Sequence, residues 1–336
     1  MRRPLAAALT GAAVALVAVP TFVAGAATST ATTPQVSVIM DWVPNPDHVG
    51  LYYAQKKGLF AKEGVSVNLK APSDASAPLK LVGAGTFDLA ISYEPEFFFA
   101  AAKKLPVTAV AAIVPVPLNS LISMKKAGIT KPAELRGKSI GIAGLPFDTA
   151  VITTMRNFAK LGSGDVKSVN VGFNLVPALL SGKVDAIVGG YRNVEALQIG
   201  QETGTPPNVV PLNKVGIPNY DELVLAANTK RLKSDPAYAA NVKKVIAGLI
   251  AGTKAALKDP SGSVAVIRDV SDYKDDLIDA SVPATLKLIK SGSPKIGCLY
   301  RSQWQAFSNW MRKTKLITAN VPASSVMTTK YLPTRC

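Results

Sequence analysis

One pattern occurs twice in this chain and limits its fold more than any other feature. Leu79 to Tyr93 reads as a short helix, a glycine turn at Gly85, an aspartate at Asp88, a run of apolar and β-branched residues, and a closing tyrosine. Val176 to Tyr191 repeats that order, with Gly182 at the turn and Asp185 before the second apolar run. A short apolar run bounded by turn residues suits a strand buried on both faces, the strand type of parallel sheets covered by helices. A second echo supports the first. Val36 to Met40 reads as a strand that opens into a proline-bearing loop and then a helix predicted from about Asp47 to Phe60, and Lys138 to Gly144 is again a strand leading through a loop to a helix. The expected fold class is therefore α/β, with two lobes built on one plan.

Length agrees with two lobes, because 336 residues exceed what one core usually holds. The first residues read as an export signal over 1–26. Arg2 and Arg3 precede an apolar stretch from Leu5 to Val19 and a small-residue site at Ala24-Gly25-Ala26. That stretch is too short to span a bilayer, and no Cys stands near the cleavage site to carry a lipid anchor. An exported location, periplasmic or at the cell surface, is expected. The formal charge of +16 is spread as short pairs such as Lys56-Lys57, Lys103-Lys104 and Lys243-Lys244. Nucleic-acid binding needs basic residues gathered on one face with aromatics or a reading helix among them, so it is excluded as a function class.

The single His rules out a His-rich metal site, and no glycine-rich phosphate loop or Gly-x-Ser-x-Gly elbow occurs near a strand end. No metal and no cofactor are expected. Cys298 and Cys336 either form one disulfide or remain two free thiols, and sequence leaves both open. Near the C-terminus, Ser234-Asp235-Pro236 announces an amphipathic helix carrying Val242, Ile246, Leu249, Ile250 and Thr253. Trp304, Phe307, Trp310 and Met311 recur at helical spacing from about Arg301, and that stripe reads as core.

In open α/β sheets ligands sit beyond the carboxyl ends of the strands. Asp41 to Asn45, Ser92 to Glu94, Leu145 to Asp148 and Tyr191 to Glu195 are thereby expected to face one cleft. Trp42, just past a strand and among prolines, either forms a pocket wall that stacks on a planar ligand or plugs a domain surface. Tyr93 and Tyr191 end their strands and can supply a facing wall. Asn45, Ser92, Asn119 and Glu195 either orient the ligand by hydrogen bonds or serve as ordinary turn and cap residues. His48 reads as a hydrogen-bonding site residue or a cap, and the helix after Leu145-Pro146-Phe147-Asp148 offers free amides at its first turn.

These residues also carry a family resemblance. Met40-Asp41-Trp42-Val43-Pro44-Asn45-Pro46-Asp47-His48-Val49-Gly50-Leu51-Tyr52 resembles the N-terminus of the NMT1/THI5-like solute-binding family. The likeness continues through Ile91-Ser92-Tyr93-Glu94-Pro95-Glu96, Pro117-Leu118-Asn119-Ser120-Leu121, Gly189-Gly190-Tyr191-Arg192-Asn193-Val194-Glu195 and Gly216-Ile217-Pro218-Asn219-Tyr220-Asp221-Glu222. The resemblance implies a periplasmic-binding-protein type II fold, with a ligand cleft between two α/β lobes and two chain crossings near Val116 to Ser120 and Tyr220 to Val224. Lobe one then comprises 27–117 and 224–336, and lobe two 118–223.

The implied ligand is a flat heterocycle, a thiamine pyrimidine precursor such as hydroxymethylpyrimidine or formylaminopyrimidine. Riboflavin, nitrate and sulfonates are the alternatives within the family. The implied ligand-binding set is Asp41, Trp42, Asn45, His48, Ser92, Tyr93, Glu94, Asn119, Phe147, Tyr191, Glu195 and Tyr220, in a monomer that serves an ABC permease. The same superfamily includes a fungal pyrimidine synthase. Its aldehyde-binding Lys and donor His fall at Ser92 and near Glu96 here, so the chain is expected not to be an enzyme.

Overall fold

The computed structural model describes residues 33–336, and the expected export segment 1–26 lies outside the described residues. The chain opens with β1 (Gln35–Ile39), α1 (Val49–Lys56), α2 (Leu59–Lys62), β2 (Ser66–Lys70), α3 (Pro78–Ala84), β3 (Leu89–Ser92), α4 (Glu94–Ala102) and β4 (Val107–Val114). A second pass contains β5 (Asn119–Ser123), β6 (Lys138–Ile142), α5 (Pro146–Phe158), β7 (Val166–Asn170), α6 (Leu175–Leu180), β8 (Ala186–Tyr191), α7 (Glu195–Thr203) and β9 (Asn208–Pro211). The chain then returns with β10 (Leu223–Asn228) and closes on α8 (Thr229–Ser234), α9 (Pro236–Lys258), α10 (Pro260–Arg268), α11 (Asp275–Gly292), α12 (Arg301–Lys313) and α13 (Ala323–Val326).

Two five-stranded sheets result, ordered β2-β1-β3-β10-β4 and β7-β6-β8-β5-β9. In each, the first three strands are parallel and the fourth runs antiparallel beside the third. The chain passes between the sheets twice, after Val114 and after Pro211.

The repeated aspartate has the same task in both sheets. Asp88 accepts the backbone N–H of Ser37 at 2.9 Å and its hydroxyl at 2.8 Å. Asp185 accepts the N–H of Ser139 at 2.8 Å and its hydroxyl at 2.8 Å. Each carboxylate thus ties the entry of a strand to its parallel neighbour, where the ladder has no other partner for that amide. In Asp88, burial opposes ionisation, but the Ser37 bonds and the Arg231 guanidinium outweigh it and hold the carboxyl below its usual range.

The helix expected from Asp47 to Phe60 is divided. A 3₁₀ turn over Pro46–His48 leads into α1, and Gly58, at φ +64°, ends that run before α2. Only glycine takes that left-handed conformation without steric cost, and so the helical pattern breaks there. Helix α9 begins as the Ser-Asp-Pro signal predicts, with the Asp235 side chain accepting the N–H of Tyr238 at 2.9 Å. Its Gly252 lies so close to α1 that an added methyl meets the carbonyl oxygen of Gly50.

The aromatic stripe of α12 packs where the two lobes join. Phe307 touches Phe98 of the first lobe and Phe147 of the second, with ring centroids 6.1 Å apart in each case. Trp304 is fully buried and donates its indole N–H to Asp221 at 2.7 Å. Cys298 and Cys336 are joined by a disulfide across a Cα–Cα distance of 5.6 Å.

Because the repeated aspartates satisfy partly buried amides, Asp88→Ala and Asp185→Ala should each lower the unfolding free energy by about 1–2 kcal/mol. Urea denaturation checks this, and a pair of neutral substitutions would contradict the role assigned to the repeat.

Candidate functional site

The ends of β1, β3, β6 and β8 and the start of β5 converge on a cavity between the lobes. The space between its walls, counting the part open to solvent, is about 490 Å³. Its lining includes the aromatics Trp42, Tyr93, Phe147 and Tyr191 and the carboxyl residues Asp41, Asp148, Glu195 and Glu222. Among the described residues no Lys, Arg or His lines it.

Asp41 is engaged at both oxygens. Oδ1 lies 2.8 Å from Nε2 of His48, and Oδ2 accepts the Tyr93 hydroxyl at 2.9 Å. The Nδ1 atom of His48 accepts the N–H of Asn45 at 3.3 Å, which places the ring proton on Nε2 and makes His48 a donor to Asp41. His48 is completely buried behind Asp41 and does not line the cavity. Asn45 does line it, although both ends of its amide are occupied: Oδ1 accepts the N–H of Asp47 and Nδ2 donates to the Val43 carbonyl.

The other three carboxyls share one design. Asp148 accepts the N–H groups of Gly144 and Leu145 through Oδ2, at 2.9 and 2.8 Å. Glu195 accepts the Tyr191 N–H through Oε2 at 2.7 Å. Glu222 accepts the N–H groups of Leu118 and Asn119 and the Tyr220 hydroxyl, all through Oε2, at 2.6, 2.9 and 3.0 Å. Asp148 Oδ1, Glu195 Oε1 and Glu222 Oε1 form no such bond among the described residues. Burial raises all three carboxyls to about 7, against the partial lowering by those backbone bonds. Near neutral pH each therefore presents its outer oxygen either as an acceptor or as a hydroxyl donor. Asn119 accepts the Gly189 N–H through Oδ1 at 2.8 Å, which turns its NH₂ towards the cavity.

Trp42 is half-buried and reaches the other lobe, where its ring meets the edge of Phe173 with centroids 4.3 Å apart at 74°. Tyr93 and Tyr191 line the cavity, and burial holds both phenols well above their usual range. The Tyr93 hydroxyl is already given to Asp41, so the ring is its principal offering.

The structure thus brings Asp41, Trp42, Asn45, Tyr93, Asn119, Phe147, Tyr191 and Glu195 to one cavity, and places Ser92, Glu94, His48 and Tyr220 outside its lining. Ser92 ends β3 opposite Val224 of β10. Glu94 begins α4 and turns beneath the site, where it accepts the Asp221 N–H at 2.7 Å. Tyr220 is fully buried against Phe147 and supports Glu222 from behind. Glu222 is the functional residue that sequence reasoning passed over. The available signal was an acidic pair, Asp221-Glu222, set directly before the apolar run of β10. Among the described residues no helix is long and apolar enough to cross a membrane.

Comparison with known proteins adds to this geometry. Residues 45–263 match the family described as NMT1/THI5 like. A Haemophilus influenzae protein named for thiamine biosynthesis is 38% identical over 194 residues, covering 58% of this chain and 62% of that protein. The formylaminopyrimidine-binding protein of Halalkalibacterium halodurans is 36% identical, covering 62% of this chain and 64% of its own. The matches span slightly less than two thirds of the length of these two relatives. The 4-amino-5-hydroxymethyl-2-methylpyrimidine phosphate synthase of Uromyces fabae is 29% identical, covering 69% of each chain.

Among solved structures, the ligand-binding component of an ABC-type import system from Staphylococcus aureus superposes with a TM-score of 0.67 at 13% identity, over 89% of this chain and 97% of that one. The alkanesulfonate-binding protein SsuA of Xanthomonas axonopodis pv. citri gives 0.68 at 15% identity, over 88% and 98%. At such identities the likeness concerns the fold, the two-lobed periplasmic-binding-protein type II architecture. The expectation that the chain is not an enzyme is corrected here. The Uromyces synthase and synthases of the same name from Saccharomyces cerevisiae, at 25–26% identity, are enzymes, so kinship of this kind does not exclude catalysis.

The raised carboxyls have a consequence for stability. Unfolded, they titrate near 3.8 or 4.5; folded, near 7, so the native chain holds protons that the unfolded chain has released. Their contribution is fully present below about pH 4 and is lost as pH rises through about 7. Calorimetry of the ligand-free protein should show Tm falling from about pH 5 to about pH 8, and Glu222→Gln should flatten the fall. A Tm that climbs over this window would contradict the burial of these groups.

Proposed function

The chain belongs to the NMT1/THI5-like family, and from that premise we propose that it is an exported solute-binding protein that captures an amino-substituted pyrimidine of the thiamine-precursor class for an ABC permease. The observation that carries this reading is the lining of the cavity: four aromatic rings, four carboxyl residues and no cationic side chain. An aminopyrimidine presents a flat face to rings such as Trp42 and Tyr191. Its exocyclic amino group and ring nitrogens suit the outer oxygens of Asp148, Glu195 and Glu222, which can accept or donate near neutral pH. When the ring takes up a proton, its N–H donates to such an outer oxygen as a charge-assisted hydrogen bond, stronger than a neutral one.

An anion such as nitrate or a sulfonate meets carboxylates and finds no Lys, Arg or His in the lining. The fold resemblance to a sulfonate-binding protein therefore does not extend to ligand chemistry. The kinship with a formylaminopyrimidine-binding protein supports the pyrimidine. In this reading the lobes hinge at the connections near residues 115–118 and 212–222, the protein acts as a monomer, and the closed form is the one a permease recognises.

Hydroxymethylpyrimidine and formylaminopyrimidine should raise the Tm of the protein and change its Trp fluorescence, whereas nitrate and alkanesulfonates should do neither. Trp42→Ala should weaken pyrimidine binding by about 1–3 kcal/mol, the range for aromatic stacking on nucleobases. Stabilisation by the anions alone would overturn the proposal, and unchanged affinity in Trp42→Ala would remove the indole from the site.

A further inference from the structure

Three buried side chains join the lobes on the α11 side of the cavity. Asn193, which follows β8 in the second lobe, donates from Nδ2 to Asp47 Oδ1 and to Thr285 Oγ1, both at 2.7 Å. Thr285, on α11 of the first lobe, donates in turn to Asp47 Oδ1 at 3.2 Å. Asp47 and Thr285 are fully buried and Asn193 is 2% exposed. Two atoms of this triad have no hydrogen-bond partner, Asp47 Oδ2 and Asn193 Oδ1. Both are acceptors, and they belong to the two side chains that already bond to each other.

A buried carboxylate oxygen without a donor costs more than a neutral one, and the amide oxygen adds its own penalty. One proton resolves both. We propose that Asp47 and Asn193 form a carboxylic acid–carboxamide latch between the lobes, in which protonated Oδ2 donates to Asn193 Oδ1 while Asn193 Nδ2 donates to Asp47 Oδ1. Lobe closure then takes up a proton, and opening releases it to water.

The surroundings favour the acid form. Burial is the main cause that raises Asp47 to about 6, and Asp41 adds to it, whereas the Asn193 and Thr285 bonds and His48 pull the other way. Glu195, Tyr191, Glu222 and Tyr273 also face this carboxyl through the field and are the other titratable groups around it. From α11 the contact is the neutral Thr285; β4, which also packs here, carries no charged residue, and the first turn of α1 is apolar. When the lobes part, water reaches Asp47 and its titration returns towards the ordinary value of 3.8. Asp47's share of the advantage of the closed form is therefore fully present at low pH and is lost between about pH 4 and about pH 6, below the range in which Asp148, Glu195 and Glu222 release their protons.

Asp47→Asn separates the latch from its alternative. An Asn side chain donates to Asn193 Oδ1 and accepts from Nδ2 at every pH, as the protonated acid does. Small-angle scattering of the ligand-free protein should find the wild type more open at about pH 7 than at about pH 4.5. Asp47→Asn should be more compact than the wild type at about pH 7, and Asn193→Leu, checked for folding by circular dichroism, should be open at both. This inference rests on the proposed function only in using hydroxymethylpyrimidine as the probe. The affinity of Asp47→Asn for it, divided by that of the wild type, should rise at least tenfold between about pH 4.5 and about pH 7. If Asp47→Asn opens the lobes, or weakens binding equally at both values, Asp47 acts as an ionised acceptor and the latch is wrong. If hydroxymethylpyrimidine binds neither protein, the functional reading fails, and the scattering comparison still decides the latch.

Discussion

Burying carboxyl groups without a cation beside them is the constraint around which this molecule is arranged. Asp148, Glu195 and Glu222 each have one oxygen fixed by backbone N–H groups, and that fixation is what allows them to face a cavity in a low-dielectric seam. The seam extends past the cavity. Glu96 of α4 accepts the Phe147 N–H at the start of α5 at 3.0 Å, so a first-lobe carboxyl caps a second-lobe helix. Burial raises Glu96 to about 8, and below it Glu94 and Asp221 share Gln303 as a donor while Trp304 donates to Asp221. Behind the formal charge of +16 the buried acids Asp41, Asp47, Glu94, Glu96, Asp148, Glu195, Asp221 and Glu222 lie where the lobes meet, and among the described residues no Lys or Arg is buried with them.

The lobes touch through pieces that are individually small. Trp42 meets Phe173, Asp47 meets Asn193, and Phe307 touches aromatic rings on both sides. Only the last is a broad apolar contact, and it sits with α12, whose stripe reads as core from sequence alone. A permanently packed hinge side and a mouth closed by a few polar and edge contacts is an arrangement suited to opening.

Much of this was legible in the sequence because strands with a glycine turn and an aspartate before them announce their position. The repeated Asp88 and Asp185 marked two equivalent sheets, and strand ends marked the cleft. What sequence did not reveal is the direction of a side chain once the strand has ended. Tyr93 points into the cavity, but Glu94, one residue on, starts a helix and is carried beneath it to Asp221. Asp221 and Glu222 show the same step of parity, one turned to Trp304 and the other lining the site. His48 likewise acts through Asp41. The helix from Asp47 to Phe60 was predicted whole because its apolar spacing persists across Gly58, where the backbone leaves the helical region. The expectation that the chain is not an enzyme failed for a different reason: Ser92 and Glu96 in place of Lys and His, the missing cysteine cluster and the export signal speak against one particular chemistry, whereas the relatives include enzymes by name.

The central claim is that the carboxyl-lined, aromatic cavity selects an amino-bearing heterocycle. Its most direct test is to purify the protein without denaturation, release whatever small molecule travels with it, and identify that molecule by mass spectrometry. The account predicts an aminopyrimidine. Recovery of a sulfonate, a nitrate or another simple anion from the cavity would contradict it.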